Sequence, residues 1–526
     1  MENEKLAEII ASPLKWSEAF LKDPATGESF KANYLESRIL SCTEKRIVVR
    51  AHRRGGKSYS MAILSLWAAS THKFYEVLIV CPDDGKVAEL FETINKLIDS
   101  TPLLSDALQE RTKNPHLIKF RNGSSIKGRT TGTGGNSEGR ALRGKGANFV
   151  IVDEAAYMKD GDFKALTPII LGDKYKTKDG QTVRAIVGST PSEQKGRFYE
   201  WCTDTSGQWY HIHVPITENP DFTEEDIDER RSISTDIEFT CEYLAEFLEA
   251  GQTAFRAKDI ENAKVDYHYL SRGTMRGSAY RAMGVDWDKY QAGVNICIVE
   301  VVPGVNKYRL IYREEVPRGE YTLTNAVKRV IALNQSFDPE FIYVDRGYGE
   351  QAVETLKLHG KDNPSSGLST KVVGFNFNEN VTINDPIDGK PVKKQFKSVL
   401  INTTLRLFEE GLIEFSSYDK VFEKQLKDYK IVGMGANSIQ TTRRNEHIID
   451  ACGLACYAIY KNHQDKLQYV KASKSYVLPL PKIVPTKTTQ RIEKELFKKM
   501  EGAIPDRSIT RGFSRGRVGT VTRSSF

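Results

Sequence analysis

The chain has 526 residues, with 76 Lys and Arg against 69 Asp and Glu, a formal net charge of +7. That length is too great for one core and predicts two large domains or three small ones, while so mild a basic excess permits a polyanionic partner without requiring one. No apolar run approaches the ~20 residues that cross a bilayer, the start Met-Glu-Asn-Glu-Lys does not resemble a signal peptide, and the scattered cysteines have no CxxC or zinc spacing; a soluble, intracellular protein with reduced thiols is expected.

In 1–45, the stretch 30–40 has helical spacing. Tyr34 and Glu36 are candidates for contact with a nucleotide base, and an amphipathic helix packed on a sheet is the plainer alternative. A β-branched strand then leads into Ala51-His52-Arg53-Arg54-Gly55-Gly56-Lys57-Ser58, with a helical run over 59–70. Strand, glycine turn and Lys-Ser at a helix start are the layout of a phosphate-binding loop, although Ala51 stands where the motif has its first glycine. Backbone N–H groups of such a loop cradle a polyphosphate, so Arg53, Gly55, Gly56, Lys57 and Ser58 are candidate ATP-binding residues, with the Ser58 hydroxyl on Mg2+.

Residues 75–82 read as a buried strand, 86–98 as a helix and 116–126 as a hairpin, which with the first strand imply a parallel sheet. The Gly-, Thr- and Arg-rich stretch 129–146 is too polar for a core and reads as a functional loop. Arg143, and second to it Arg140, could serve as a finger that neutralises charge developing on a γ-phosphate; solvated or DNA-contacting arginines are the alternative. The apolar strand 148–153 ends in Asp153-Glu154, where ligands of parallel sheets collect. Asp153 would hold Mg2+, and Glu154 would orient and deprotonate the attacking water.

The strand 183–191 ends in Ser189-Thr190, candidates for coupling hydrolysis to motion, or else a turn capping the next helix. A strand over 208–216 and helices over 223–233 and 235–250 follow. Composition changes over 251–276, giving an expected division into an ATPase domain (1–250), a linker (251–276), a second α/β domain (277–465) and a basic, flexible tail (466–526) with a helix near 490–500.

The second domain opens with three strands joined by turns, then a helix over 322–333 and a strand over 340–345. An aspartate in the first strand, Asp286, and one ending the fourth, Asp345, form the pattern of ribonuclease H-like nucleases, and Asp450 on the apolar-striped helix 445–460 supplies a third acid. Three carboxylates from separate elements can hold two divalent ions, Mg2+ or Mn2+. Asp288 is an alternative ligand, and His447 reads as a helix-face or DNA-contacting residue. A hairpin within 372–397 carries Lys390, Lys393, Lys394 and Lys397, which could track a DNA backbone or simply be solvated.

A phosphate-loop ATPase (ASCE-type, parallel sheet) followed by a ribonuclease H-like nuclease with a mixed sheet resembles the large terminase subunit of tailed bacteriophages over about 16–460. The resemblance rests on Arg53 to Ser58, Val150 to Glu154, Gly188 to Pro191, Gly284 to Asp286, Val344-Asp345 and His447 to Asp450. It implies ATP-driven packaging of double-stranded DNA into a procapsid and metal-dependent cutting of concatemers. It further implies a homo-oligomeric ring on the portal protein, monomeric in solution, a small terminase subunit that selects DNA, residence in the host cytoplasm with transient docking on the procapsid, absence from the mature virion, and no membrane. Two other readings stay open: a DNA translocase or helicase whose second domain is an inactive binding module, and a non-enzymatic assembly factor with both sites dead.

Overall fold

A computed structural model describes residues 2–131, 142, 147–171, 183–249, 251–271, 279–288, 293–302, 307–384, 389–435, 438–442, 446–467 and 483–484. Arg140, Arg143, the helix expected near 490–500 and the basic tail beyond 484 lie outside the described residues.

The first sheet contains β1 (Arg46–Ala51), β2 (Glu76–Cys81), β3 (Leu108–Lys113), β4 (His116–Phe120), β5 (Ser125–Thr130), β6 (Phe149–Asp153), β7 (Arg184–Ser189) and β8 (Tyr210–Val214), in the order β3-β4-β5-β2-β6-β7-β1-β8. From β5 to β8 all neighbours run parallel, while β3, β4 and β5 form an antiparallel extension. Both faces are covered, as a parallel sheet requires. Ile47 and Val49 sit in one core with the helices Tyr34–Leu40 and Lys57–Thr71, and Val48 sits in the other with Phe163, Leu166 and Trp201. β7 separates β1 from β6, so the phosphate-type loop and the acidic pair flank the strand that ends in Ser189.

The helix expected over 235–250 is shorter. It comprises Asp236–Glu238 and the wider turn Phe239–Tyr243, and the chain leaves it through Ala245 at φ 53°. The Leu248 N–H then donates to the Ser192 carbonyl at 2.9 Å, and the Leu248 carbonyl accepts from the Gln194 N–H at 3.0 Å, which ties this segment to the first unit just beyond β7.

The second sheet comprises β9 (Lys264–Val265), β10 (Arg281–Asp288), β11 (Gly293–Val302), β12 (Lys307–Val316), β13 (Phe341–Asp345), β14 (Val372–Phe375) and β17 (Ile413–Ser416), in the order β14-β13-β10-β11-β12-β17-β9. β10, β11 and β12 are antiparallel and the flanking strands parallel, which makes the sheet mixed. The hairpin β15 (Asn380–Asn384) and β16 (Pro391–Gln395) stands apart from it, and Ile483–Val484 pairs with β15. The stretch 251–276 contributes Phe255, Ile260 and Ala263 to the core beneath this sheet and β9 to its edge.

The helix His447–Leu467 lies directly on β10. A Cβ added to Gly284 would fall 1.9 Å from the Ala451 carbonyl oxygen, so glycine permits backbone-to-backbone approach here. Gly284 and Asp286 share a strand face, and this contact therefore sets the helix start, with His447 and Asp450, over Asp286.

Candidate nucleotide and nuclease sites

β1 delivers the chain into the loop His52 to Gly56, whose first backbone donors are held from outside. The His52 N–H bonds the Val214 carbonyl at 3.0 Å and the Arg53 N–H bonds that of Glu242 at 2.6 Å. Arg54 has φ 63° and Gly56 φ 96°, left-handed conformations of the kind from which anion-binding backbone concavities are built. A Cβ on Gly56 would lie 2.5 Å from the Glu36 carboxylate, so the second glycine is a steric requirement. Glu36 itself completes the capping box of helix Tyr34–Leu40 by accepting from the Asn33 N–H at 3.0 Å. Burial pushes its carboxyl up to about 7.

Lys57 is buried and runs across Gly188, where an added Cβ would meet its Cδ at 3.2 Å. In register, Val49, Gly188 and Asp153 stand side by side on β1, β7 and β6. The lysine thereby reaches toward Asp153, whose carboxylate also accepts from the Ser58 hydroxyl. Burial and then Glu154 push Asp153 up to about 6, against the pull of Lys57 and Ser58. Glu154 is held at φ 55°, a conformation that costs a non-glycine residue on the order of 1–3 kcal/mol and recurs at functional sites. Its carboxylate accepts from the Ser189 hydroxyl at 3.4 Å, and Thr190 shares a hydrogen bond with the Tyr157 hydroxyl at 3.1 Å. Ser189 therefore faces the acidic pair while Thr190 is tied to Tyr157, and the next helix, Gly196–Cys202, has no side-chain cap at its N-cap residue Lys195.

Arg53 meets a residue that sequence order hides. Its guanidinium lies 3.6 Å from the half-buried Glu242 carboxylate, nearly two hundred positions away and without any local motif. One helical turn earlier, Glu238 accepts from Lys394 at 3.1 Å and from Asn402 at 2.7 Å, so this helix joins the loop to the second unit.

On the second sheet, Val285 pairs with Val344, so Asp286 and Asp345 follow at the carboxyl ends of adjacent parallel strands. Both are buried, as is Asp450 above them. Asp345 accepts from the Gly347 N–H at 3.0 Å, Asp286 meets His447 Nδ1 at 2.7 Å, and Asp450 is ion-paired with Lys397. The topology thus brings the three acids to one sheet end. Among the described residues no three His, Cys, Asp or Glu side chains converge as a formed metal site. The side chain of Asp288 lies outside the described residues. The donor set nonetheless fits a hard divalent ion. Burial, and beyond it Asp286 and Glu446, push Asp450 up to about 8 in spite of Lys397, a repulsion among oxygen donors that a divalent cation relieves. The Ser58 hydroxyl and Asp153 carboxylate fit Mg2+ on the same chemical ground.

Two of the lysines read as DNA-tracking are engaged inside the fold. Lys397 is turned inward onto Asp450, and Lys394 onto Glu238. His447, read as a helix-face or DNA-contacting residue, is hydrogen-bonded to Asp286 from the first turn of its helix.

The family model described as terminase large subunit, T4likevirus-type, N-terminal, matches residues 51–262. Among solved structures, the large terminase of a thermophilic bacteriophage (crystal form 2) is similar in fold, with a TM-score of 0.51 at 13% identity, covering 81% of this chain and 98% of that one. The same phage protein in complex with ATP-gamma-S (crystal form 3) gives a TM-score of 0.50 at 12% identity, covering 81% of this chain and 98% of that chain. No curated protein matches the chain.

Proposed function

We propose that the chain is a large terminase subunit, the family whose N-terminal model matches residues 51–262, and that it hydrolyses ATP to drive double-stranded DNA into a procapsid and cuts concatemeric DNA at a second, metal-dependent centre. What supports the reading is that one chain carries Lys57 and Ser58 beside Asp153-Glu154 at the end of one sheet and Asp286, Asp345 and Asp450 at one end of another.

At the first centre, Arg53, Gly55, Gly56 and Lys57 would bind the phosphates, Ser58 and Asp153 would hold Mg2+, and Glu154 would accept the proton of the attacking water. When bound, such an ion would supply charge neutralisation. Arg143, or Arg140, would act as the finger, reaching an adjacent subunit's nucleotide in a ring. Ser189, hydrogen-bonded to Glu154, and Thr190, bonded to Tyr157, would pass the change at the γ-phosphate to β7 and the segment after it.

At the second centre, Asp286, Asp345 and Asp450 would hold Mg2+ or Mn2+, as two ions, and His447 fixes the Asp286 carboxylate. Activation of water and stabilisation of the leaving oxygen are the chemistry such ions supply. Portal protein, procapsid and small terminase subunit are the proposed partners, met in the host cytoplasm.

The ion pair of Lys397 with Asp450 favours one competing reading, a translocase whose second unit only binds DNA. Supercoiled-plasmid cleavage with Mg2+ or Mn2+, alongside ATPase, on wild type, Lys57→Ala and Asp345→Ala decides between them. Loss of cutting alone in Asp345→Ala and loss of ATPase alone in Lys57→Ala supports the two-centre enzyme. A wild type that never cuts with either metal leaves the translocase.

A further inference from the structure

We infer that Lys397 is a positioning residue of the second centre that competes with the divalent ion for Asp450, and that Glu446 is the carboxylate onto which its ammonium moves when the ion binds. The inference rests on the nuclease reading of Asp286, Asp345 and Asp450.

Lys397 sits at the start of helix Phe396–Glu409, directly after the hairpin β15–β16. Its position is fixed from below by Phe396, fully buried and stacked on Phe375 at 4.5 Å between ring centroids. The ammonium is ion-paired with Asp450, lies 3.7 Å from Glu446 Oε1, and stands 4.7 Å from the centre of the Phe377 ring. A lysine largely withdrawn from solvent has little reason to occupy a carboxylate site except to offset its charge. Here the charge to be offset is large, because Asp450 and Asp286 are buried close together, with Glu446 beside them.

An ion entering between Asp286 and Asp450 would place a second cation on the Asp450 oxygens. Two cations there repel each other strongly at low dielectric, so the ammonium has to leave. The structure provides a destination. Glu446 Oε2 is buried and has no hydrogen-bond partner among the described residues, an acceptor left unsatisfied at a cost in free energy. Rotation of the long lysine stem about its fixed Cα would take Nζ from Asp450 to Glu446 along the face of Phe377. Movement of Lys397 off Asp450 breaks that ion pair and shortens the existing one to Glu446, so the vacated Asp450 oxygens are free for the ion and no buried charge is left alone.

Manganese binding to the full chain, measured by titration calorimetry, tests this without depending on cleavage. ATPase on the same preparations reports folding. Lys397→Met is expected to bind Mn2+ at least about tenfold more tightly than wild type, because it removes the competing cation while keeping the volume of the stem. That gain should vanish in an Asp450→Asn background, since both effects pass through one carboxylate. Glu446→Gln should weaken binding about fivefold or more, because the displaced ammonium then lacks an anionic partner. Binding in Lys397→Met equal to or weaker than wild type, or a gain that persists with Asp450→Asn, overturns the inference while leaving the nuclease reading intact. Wild type, Asp345→Asn and Asp450→Asn that all bind Mn2+ alike would overturn the nuclease reading and this inference with it.

Discussion

The Lys57 side chain lies across Gly188, so closely that a Cβ at Gly188 would approach Lys57 Cδ to 3.2 Å and Met61 Cε to 2.5 Å. Gly188 sits between Val49 and Asp153 in the sheet, so the missing side chain is what lets the lysine pass from its helix to the acidic strand end. A β-branched substituent would push Lys57 outward by roughly an ångström. Gly188→Val is therefore expected to lower the ATPase turnover by about a hundredfold, the scale on which such misplacements act. Steady-state ATP hydrolysis checks this, with circular dichroism to establish that the variant is folded. Turnover within twofold of wild type would show that Lys57 does not need this path.

Glu36 beneath the loop makes stability pH-dependent. Burial raises its folded-state pKa to about 7, above the 4.5 of an ordinary glutamate. The folded protein therefore holds the proton more tightly than the unfolded chain does. The resulting stabilisation is full below about pH 4.5 and is lost as pH rises through 7. Glu36→Gln keeps the acceptor for the Asn33 N–H and removes the ionisation, so it should be more stable than wild type at pH 8.5 by on the order of 2 kcal/mol, with little difference at pH 5. Melting curves at the two pH values measure the gap; a gap independent of pH would contradict the burial argument.

What can be read from sequence is set by where the deciding contacts lie. β1, β2, β6, β7 and β10 are legible because strands buried on both faces are nearly all apolar and end abruptly in the loop before Lys57, in Asp153, in Ser189 or in an acid-bearing turn. β3 escapes such a reading, since Leu108–Lys113 is an exposed edge strand whose polar residues look like a loop. The helix at Asp236 reads too long because Thr235 caps it well, while its end depends on Ala245 adopting φ 53° to lead the chain back to β7. Lys397 and Lys394 read as solvated or DNA-facing because lysine usually is, and only the fold sets them against Asp450 and Glu238. The pairing of Glu446 and His447 with that centre has a local signal, an acid and a base beginning the helix that carries Asp450.

Gly284 is the pivot of the second centre. Its added Cβ would lie 1.9 Å from the Ala451 carbonyl oxygen and 2.6 Å from the Ala455 nitrogen, both backbone atoms that cannot rotate away. Gly284→Ala should destabilise the second unit by about 3 kcal/mol or more, the upper range for overpacking. Chemical denaturation with tryptophan fluorescence reads this out through the buried Trp287 on the same strand. An unchanged midpoint would mean that helix His447–Leu467 does not pack on β10 as described.

His447 Nδ1 holds the Asp286 carboxylate at 2.7 Å, from the first turn of the helix that carries Asp450. A ring so placed orients the carboxylate, and loss of such supporting partners typically lowers activity or metal affinity about 10- to 100-fold. His447→Ala should accordingly reduce metal-dependent plasmid cleavage by that factor, whereas ATPase should stay within twofold, because Lys57, Asp153 and Glu154 belong to the other sheet. His447→Asn, which can still donate a hydrogen bond to Asp286, should recover part of the loss. If His447 merely contacted DNA, raising the DNA concentration would restore the rate of the alanine variant. A defect that persists at saturating DNA and shifts with metal concentration places the effect at Asp286.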